Sequence, residues 1–132
     1  KNHDVADGKY IAIEASSDTV VFKTDEVLIR RVIGNMVKNA LEASKHNQTV
    51  TIGCKKTDNE VIFSVNNPTF MPKEIQLQIF QRSFSTKGSS RGLGTYSMKL
   101  LTEKYLKGQI YFTTSEIQGT TFIAHYPLKL EN

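Results

Sequence analysis

The sequence predicts an α+β fold, a two-layer sandwich in which helices cover one face of a mixed sheet. Two observations carry that prediction. Long segments with helical end signals or helical apolar spacing run from Thr24 to about His46 and from just after Gly94 to near Lys107. Paired β-branched runs lie between and after them, joined by short polar turns. Strand pairs interleaved with helices make the sheet mixed and leave helices to cover one side of it.

The first eight residues, Lys1 to Gly8, read as a polar tail, and residues 9–132 as a single domain. Lys9 to Ala15 alternates as a strand does, and Thr19 to Phe22 reads as a short extra strand. Thr24-Asp25-Glu26 opens the first helix with a capping hydroxyl and two carboxylates in the first turn, where the helix dipole favours them. Thr49 to Lys56 and Glu60 to Val65 form a hairpin across Thr57-Asp58-Asn59, and Asn66-Asn67-Pro68 ends its second strand. Pro72 starts a short helix through Phe80. Arg82 to Arg91 is polar and glycine-bearing and reads as a mobile loop. The last long helix follows Gly92-Leu93-Gly94 and ends at a Gly108 cap, with Lys107 in its final turn. Gln109 to Thr114 and Thr120 to Tyr126 close the chain as strands around Gln118-Gly119.

Composition narrows the class. With 132 residues the chain is large enough to bury about two-thirds of the surface its unfolded form exposes. Seventeen basic and 13 acidic residues leave a net charge of +4, which suits a phosphate-bearing ligand and is too small and dispersed for a nucleic-acid surface. One cysteine, Cys54, excludes an internal disulfide and a cysteine-based zinc site, and fits a reducing, cytoplasmic setting. No apolar run approaches the ~18 residues of a membrane span. His3, His46 and His125 show no ligand spacing, His46 standing at a helix end where its charge suits the dipole.

Two stretches invite chemistry. On the first helix Ile29, Ile33, Met36, Val37, Ala40 and Leu41 form the apolar face, while Arg31, Asn35, Lys38, Asn39 and Glu42 gather on the opposite arc. Asn35, Asn39 and Glu42 stack along one line at i, i+4, i+7. That arc reads either as a solvated face or as a magnesium-facing one, because an asparagine carbonyl is a neutral hard ligand and asparagine is a mediocre helix former. Downstream, Gly88, Gly92 and Gly94 lie among Arg82, Lys87 and Arg91, ahead of a helix N-terminus with free amides. Either a surface loop or a phosphate cradle fits. It matches neither a Walker A loop nor a dinucleotide fingerprint, since Ser97 holds the third glycine place.

Taken together, these blocks resemble the ATP-binding catalytic domain of sensor histidine kinases, a family sharing its fold with gyrase, the ninety-kilodalton heat-shock chaperone and mismatch-repair ATPases. Asn35 to Ala43 is similar to the N box, Ile79 to Gly88 to the F box, Gly92-Leu93-Gly94 to the second glycine box and Gly119-Thr120-Thr121-Phe122 to the closing G-T-x-F. The resemblance covers residues 9 to 128 and implies a mixed five-stranded sheet with three helices on one face. It implies ATP and Mg²⁺ as ligands, with Asn39 on the metal, Asn35 and Glu42 nearby, and Lys87 and Arg91 on phosphate. Amides around Gly92, Leu93, Gly94 and Thr95 would cradle phosphates, Met71 would belong to the nucleotide-binding set, and Thr120 would touch adenine through water. The family's first glycine box has an aspartate that accepts the adenine amino hydrogen. Here Asn66 takes that place in Asn66-Asn67-Pro68-Thr69-Phe70-Met71-Pro72, which lacks both glycines. A neutral acceptor there costs about 1 kcal/mol, or about fivefold in affinity.

The implied function is transfer of the γ-phosphoryl to a histidine on a dimerisation and phosphoacceptor domain of the parent kinase, with a response regulator downstream. The catalytic residue is then outside this chain, and the domain alone is expected to be an inactive monomer. The alternative is a kinase-like scaffold that has lost nucleotide binding, motivated by Asn66, Pro68 and Phe70.

Overall fold

The computed structural model describes residues 9–13, 24–81 and 89–128, with the backbone alone at 13 and 89–94. Among these residues five strands form one mixed sheet, ordered β1-β2-β3-β5-β4. Strand β1 (Tyr10–Ile13) lies parallel to β2 (Thr49–Lys56), Ile11 opposite Val50. The crossover between them carries helix α1 (Glu26–Ala43), as a parallel pair requires. β2 and β3 (Glu60–Asn67) form an antiparallel hairpin with Ile52 opposite Val65. Its turn is held by the Thr57 hydroxyl, which accepts from the Asn59 and Glu60 amides at 3.2 and 3.0 Å. A short helix α2 (Lys73–Gln76) and helix α3 (Ser89–Leu100) follow, α3 running on as a π-helical turn over Leu101–Tyr105. β4 (Gln109–Ser115) and β5 (Gly119–Pro127) complete the sheet, β5 lying between β4 and β3 with Phe122 opposite both Phe112 and Val65.

Period-2 alternation decides which face is covered. Along β5, Thr120, Phe122, Ala124 and Tyr126 are buried while Thr121, Ile123 and His125 are half-exposed. The buried set joins Val50, Val61, Val65 and Ile110 of the sheet to Val32, Met36, Ala40 and Leu41 of α1 and Met98 of α3. Each large aliphatic in this layer contributes about 1.5–3 kcal/mol by leaving water. Phe80 packs on Phe122 edge-on at 5.9 Å and on Phe112 at 6.0 Å, so the chain entering residues 82–88 is anchored in the core. On the open face His125 sits between Glu60, at 3.0 Å from Nδ1, and the Tyr111 hydroxyl, at 3.1 Å from Nε2.

Several boundaries differ from the sequence expectation, each for a local reason. The α1 cap is the Asp25 carboxylate, which accepts the Leu28 amide at 3.1 Å, rather than the Thr24 hydroxyl. α1 stops at Ala43 instead of His46 because the backbone turns extended at Ser44 (φ −80°, ψ 154°), whose hydroxyl donates to the Ala40 carbonyl at 2.8 Å. The cation at that end is Lys9, whose Nζ reaches the Leu41 carbonyl at 2.7 Å, and His46 lies exposed beyond the helix. The α1 stripe is centred on the fully buried Val32, with Ile29, Ile33 and Val37 only half-buried around it. β3 continues through Asn66 to Asn67, since a residue before proline favours extended backbone and pairing fails only at Pro68, which has no amide hydrogen. α2 is four residues long, capped by Pro72, and gives way to turns before Phe80.

Helix α3 begins at Ser89, ahead of Gly92-Leu93-Gly94, so the glycines lie inside its first turns and not before it. Leu93 and Thr95 amides are then placed for bonds to carbonyls four residues back. At the far end the left-handed position falls on Lys107 (φ 61°) rather than Gly108. Gly108 is needed for a different reason: a Cβ there would overlap the His125 carbonyl of β5. The expected strand at Thr19 to Phe22 lies outside the described residues; of the loop expected from Arg82 to Arg91, residues 82–88 lie outside them too, while residues 89–91 belong to α3 instead.

Two predictions follow from this packing. Burial pushes the Tyr126 phenol up to about 12 from 10.0, against a smaller opposite effect of its hydrogen bond with Thr102, the two oxygens being 2.8 Å apart. The unfolded chain releases this proton near pH 10 and the folded chain near pH 12, so stability present below pH 10 is lost on going to pH 12, by about 3 kcal/mol. Tyr126→Phe removes this alkaline slope in urea melts, at a neutral-pH cost of about 1 kcal/mol for the stranded Thr102 hydroxyl. Gly119, with φ +78°, lies so close to the end of β3 that a Cβ would overlap the Asn67 carbonyl and stand 2.6 Å from Pro68 Cα. Gly119→Ala therefore lowers stability by about 3 kcal/mol or more in denaturant titration, combining left-handed strain with overpacking.

Candidate functional site

The end of β3 sets one side of the site. Strand parity puts Val61, Val65 and Asn67 on the helix-covered face and Ser64 and Asn66 on the open face. Asn66, the expected base contact, thus faces away from the helices. Its amide donates to the Gln118 carbonyl at 3.0 Å and the Thr121 hydroxyl at 2.9 Å, fastening the β4–β5 turn to β3. Asn67 occupies the inner face, 2% exposed and opposite Thr120 in the ladder. Its Oδ1 accepts the Thr69 amide at 2.9 Å, an Asx turn across Pro68.

A chain of hydroxyls holds this turn, and its direction is forced because each hydroxyl has one hydrogen. Thr120 Oγ1 donates to the Thr69 carbonyl at 2.7 Å. It therefore accepts from Thr114 Oγ1 at 2.8 Å, and Thr114 in turn accepts the Met71 amide at 2.9 Å. Both ends of Thr69 to Met71 are so tied to the last two strands, and the buried Met71 side chain is carried into the core. Thr69 Oγ1 also donates to the Ala43 carbonyl at 3.1 Å, satisfying an acceptor that the end of α1 leaves open.

Helix α1 supplies the other side. At 100° per residue Asn35, Asn39 and Glu42 flank the buried stripe of Val32, Met36 and Ala40, and all three are half-buried. Arg31 and Lys38, grouped with them on sequence, are exposed. Asn39 is one turn before Ala43, about 6 Å of helix rise from the carbonyl that holds Thr69. α1 packs on α3, where Thr95 is 3% exposed. Lys87 and Arg82 lie outside the described residues, as does the side chain of Arg91, whose backbone with those of Gly92, Leu93 and Gly94 forms the start of α3.

The donor set bears on a metal. Among the described residues no group of three or more His, Cys, Asp or Glu side chains could hold an ion. A cation at the α1 rim would rest on asparagine oxygens and on oxygens its ligand brings, which fits magnesium bound with phosphates and fits poorly an ion needing an all-protein cage. Among the described residues no helix is long and apolar enough to cross a membrane. Asn67, Thr69 and Thr114 were missed on sequence. Counting strand parity on from Val61 and Val65 places Asn67 inside, and Asn67-Pro68 is itself a turn signal, whereas nothing local marks Thr114.

Comparison with known proteins agrees with this architecture. The chain is 26% identical over 124 residues to the heme sensor protein HssS of Staphylococcus haemolyticus, covering 92% of this chain and 27% of that one. It superposes on the nucleotide-free catalytic domain of histidine kinase ThkA with a TM-score of 0.79 at 27% identity, covering 92% and 82% of the two chains. Against ThkA in complex with response regulator protein TrrA the TM-score is 0.75 at 26% identity, over 94% and 35%. The chain thus spans about a quarter of the curated relative's length. The family model described as histidine kinase-, DNA gyrase B- and HSP90-like ATPase matches residues 24–130, and the chain belongs to that ATP-binding family.

Proposed function

We propose that this domain is the catalytic part of a two-component sensor histidine kinase. On this reading it binds Mg-ATP and presents the γ-phosphoryl to a histidine on a dimerisation domain of the same parent protein, ahead of a response regulator. The observation that carries the reading is an amide, Asn35, half-buried on the α1 rim. Self-contained ATPases of the superfamily place there a glutamate that activates water, and an amide cannot take that proton. Transfer to an imidazole needs no such base, because the acceptor is already nucleophilic and catalysis is mainly positioning and charge stabilisation.

The roles divide along the two sides of the site. Asn39, with Asn35 and Glu42 beside it, would hold Mg²⁺, which when bound offsets phosphate charge. Asn67 and Thr120, braced by Thr69 and Thr114, would meet the base, a position the sequence alone puts at Asn66. Met71 would line the same pocket. Lys87 and Arg91 would supply the phosphate-facing cations. The phosphate amides at Gly92 to Thr95 would become free only if the first turns of α3 unwind. Two glycines make that inexpensive, since each is about 1 kcal/mol less favourable than alanine in a helix. The parent kinase would work in the cytoplasm, and the isolated domain would be a monomer.

Radiolabelled ATP tests the reading. Label is expected on the parent's phosphoacceptor domain only when this chain is present, and labelling or steady hydrolysis by the chain alone overturns it. Within the site, Asn39→Ala should remove the magnesium dependence of ATP and ADP binding in calorimetry. Lys87→Ala should weaken ATP about tenfold and ADP much less, as for a charge lost at the γ-phosphate. Equal losses would place Lys87 away from that group.

A further inference from the structure

Resting on the nucleotide reading, we infer that Asn67 relaxes base selection, so that the domain accepts 6-oxopurine nucleotides within about tenfold of adenine nucleotides. The physical basis is a count of acceptors. A carboxylate has two acceptor oxygens, so one can take a backbone amide while the other takes the amino hydrogen of adenine. An asparagine amide has one acceptor oxygen and a nitrogen that only donates. In this chain that oxygen, Oδ1, already accepts the Thr69 amide at 2.9 Å, so a base donor has to share it. Nδ2 stands beside it as a donor.

Turning the amide over does not escape the conflict, because Nδ2 would then oppose the Thr69 N–H. Nor can Thr69 turn aside. Its carbonyl accepts Thr120 at 2.7 Å, its hydroxyl donates to Ala43 at 3.1 Å, and the Met71 amide two residues on is held by Thr114 at 2.9 Å. Adenine offers an amino donor at C6 and has to share Oδ1 with the Thr69 amide, one neutral oxygen divided between two donors. A 6-oxopurine offers an acceptor at C6, which Nδ2–H satisfies with the Asx turn intact. One neutral hydrogen bond corresponds to about five- to tenfold in affinity, and this sets the expected narrowing between the two bases.

Calorimetric titration with magnesium and either ADP or inosine diphosphate tests this. Inosine diphosphate lacks the 2-amino group of guanine, so the comparison isolates the C6 and N1 edge. In the wild-type chain the two dissociation constants should lie within about tenfold, and Asn67→Asp should shift their ratio at least tenfold toward ADP. A wild-type preference for ADP of a hundredfold or more, or an unchanged ratio in folded Asn67→Asp, overturns the inference and leaves the nucleotide reading standing. If ADP, inosine diphosphate and inorganic triphosphate all fail to bind the wild-type chain, the nucleotide reading falls and this inference with it. Should Asn67→Asp not fold, the wild-type chain decides with the diphosphate of unsubstituted purine riboside, which offers neither donor nor acceptor at C6. Inosine diphosphate should bind about fivefold tighter than that probe, as for one neutral hydrogen bond, and equal affinities overturn the inference.

Discussion

The close approach of β5 to the end of β3 is the constraint on which the site depends. It exists because Gly119 carries no side chain where one would overlap the Asn67 carbonyl and crowd Pro68. With that approach allowed, Thr120 comes opposite Asn67, its hydroxyl reaches the Thr69 carbonyl, and Thr114 on the neighbouring strand completes a line of bonds to Met71. The glycine of the closing Gly119-Thr120-Thr121-Phe122 block is thus a packing requirement, and the threonine after it is placed by that requirement. The conformation of the segment from Pro68 to Pro72 is then set from outside, by strands far along the chain.

This external bracing explains how the segment holds its shape without the glycines of the motif it resembles. Glycines let a backbone approach a ligand by removing side chains and widening the allowed φ. Here the turn is made by an Asx bond across a proline, and stiffness comes from hydrogen bonds to neighbouring strands and to the end of α1. The consequence is a wall whose polar groups are mostly satisfied by the protein itself.

The two sides of the site are coupled through ordinary structural bonds. The carbonyl at the end of α1 that accepts Thr69 is one turn from Asn39, so the helix rim and the β3 turn share a fixed spacing. Phe80, held between Phe112 and Phe122 with the Lys99 ammonium 5.3 Å from its ring centroid, gives the chain a rigid exit point ahead of residues 82–88. The candidate site is therefore built from rigid elements at the α1 rim and at the β3 turn, which suits a task of positioning more than one of proton transfer.

The sequence by itself determined the class of fold, the strand pairs, the first helix and the order of the four motif blocks. The motif blocks rest on resemblance to a family, and the others on local patterns: period-2 and period-3.6 hydrophobicity, an acidic cap before α1, and turn residues between β-branched runs. The polar line of α1 was legible for the same reason, since Asn35, Asn39 and Glu42 share a helical face whatever packs against them. Tertiary structure decided the rest. The inner asparagine is Asn67 because sheet parity, fixed by burial of Val61 and Val65, outweighs a match to a motif that lacks its glycines. Helix α1 ends on Lys9, Ser44 and Thr69, two of which come from distant parts of the chain. Thr114 carries no local mark at all. Its role exists only once β4 and β5 are paired and Met71 is brought within hydrogen-bond reach, and contacts separated by 43 residues leave no periodicity to read.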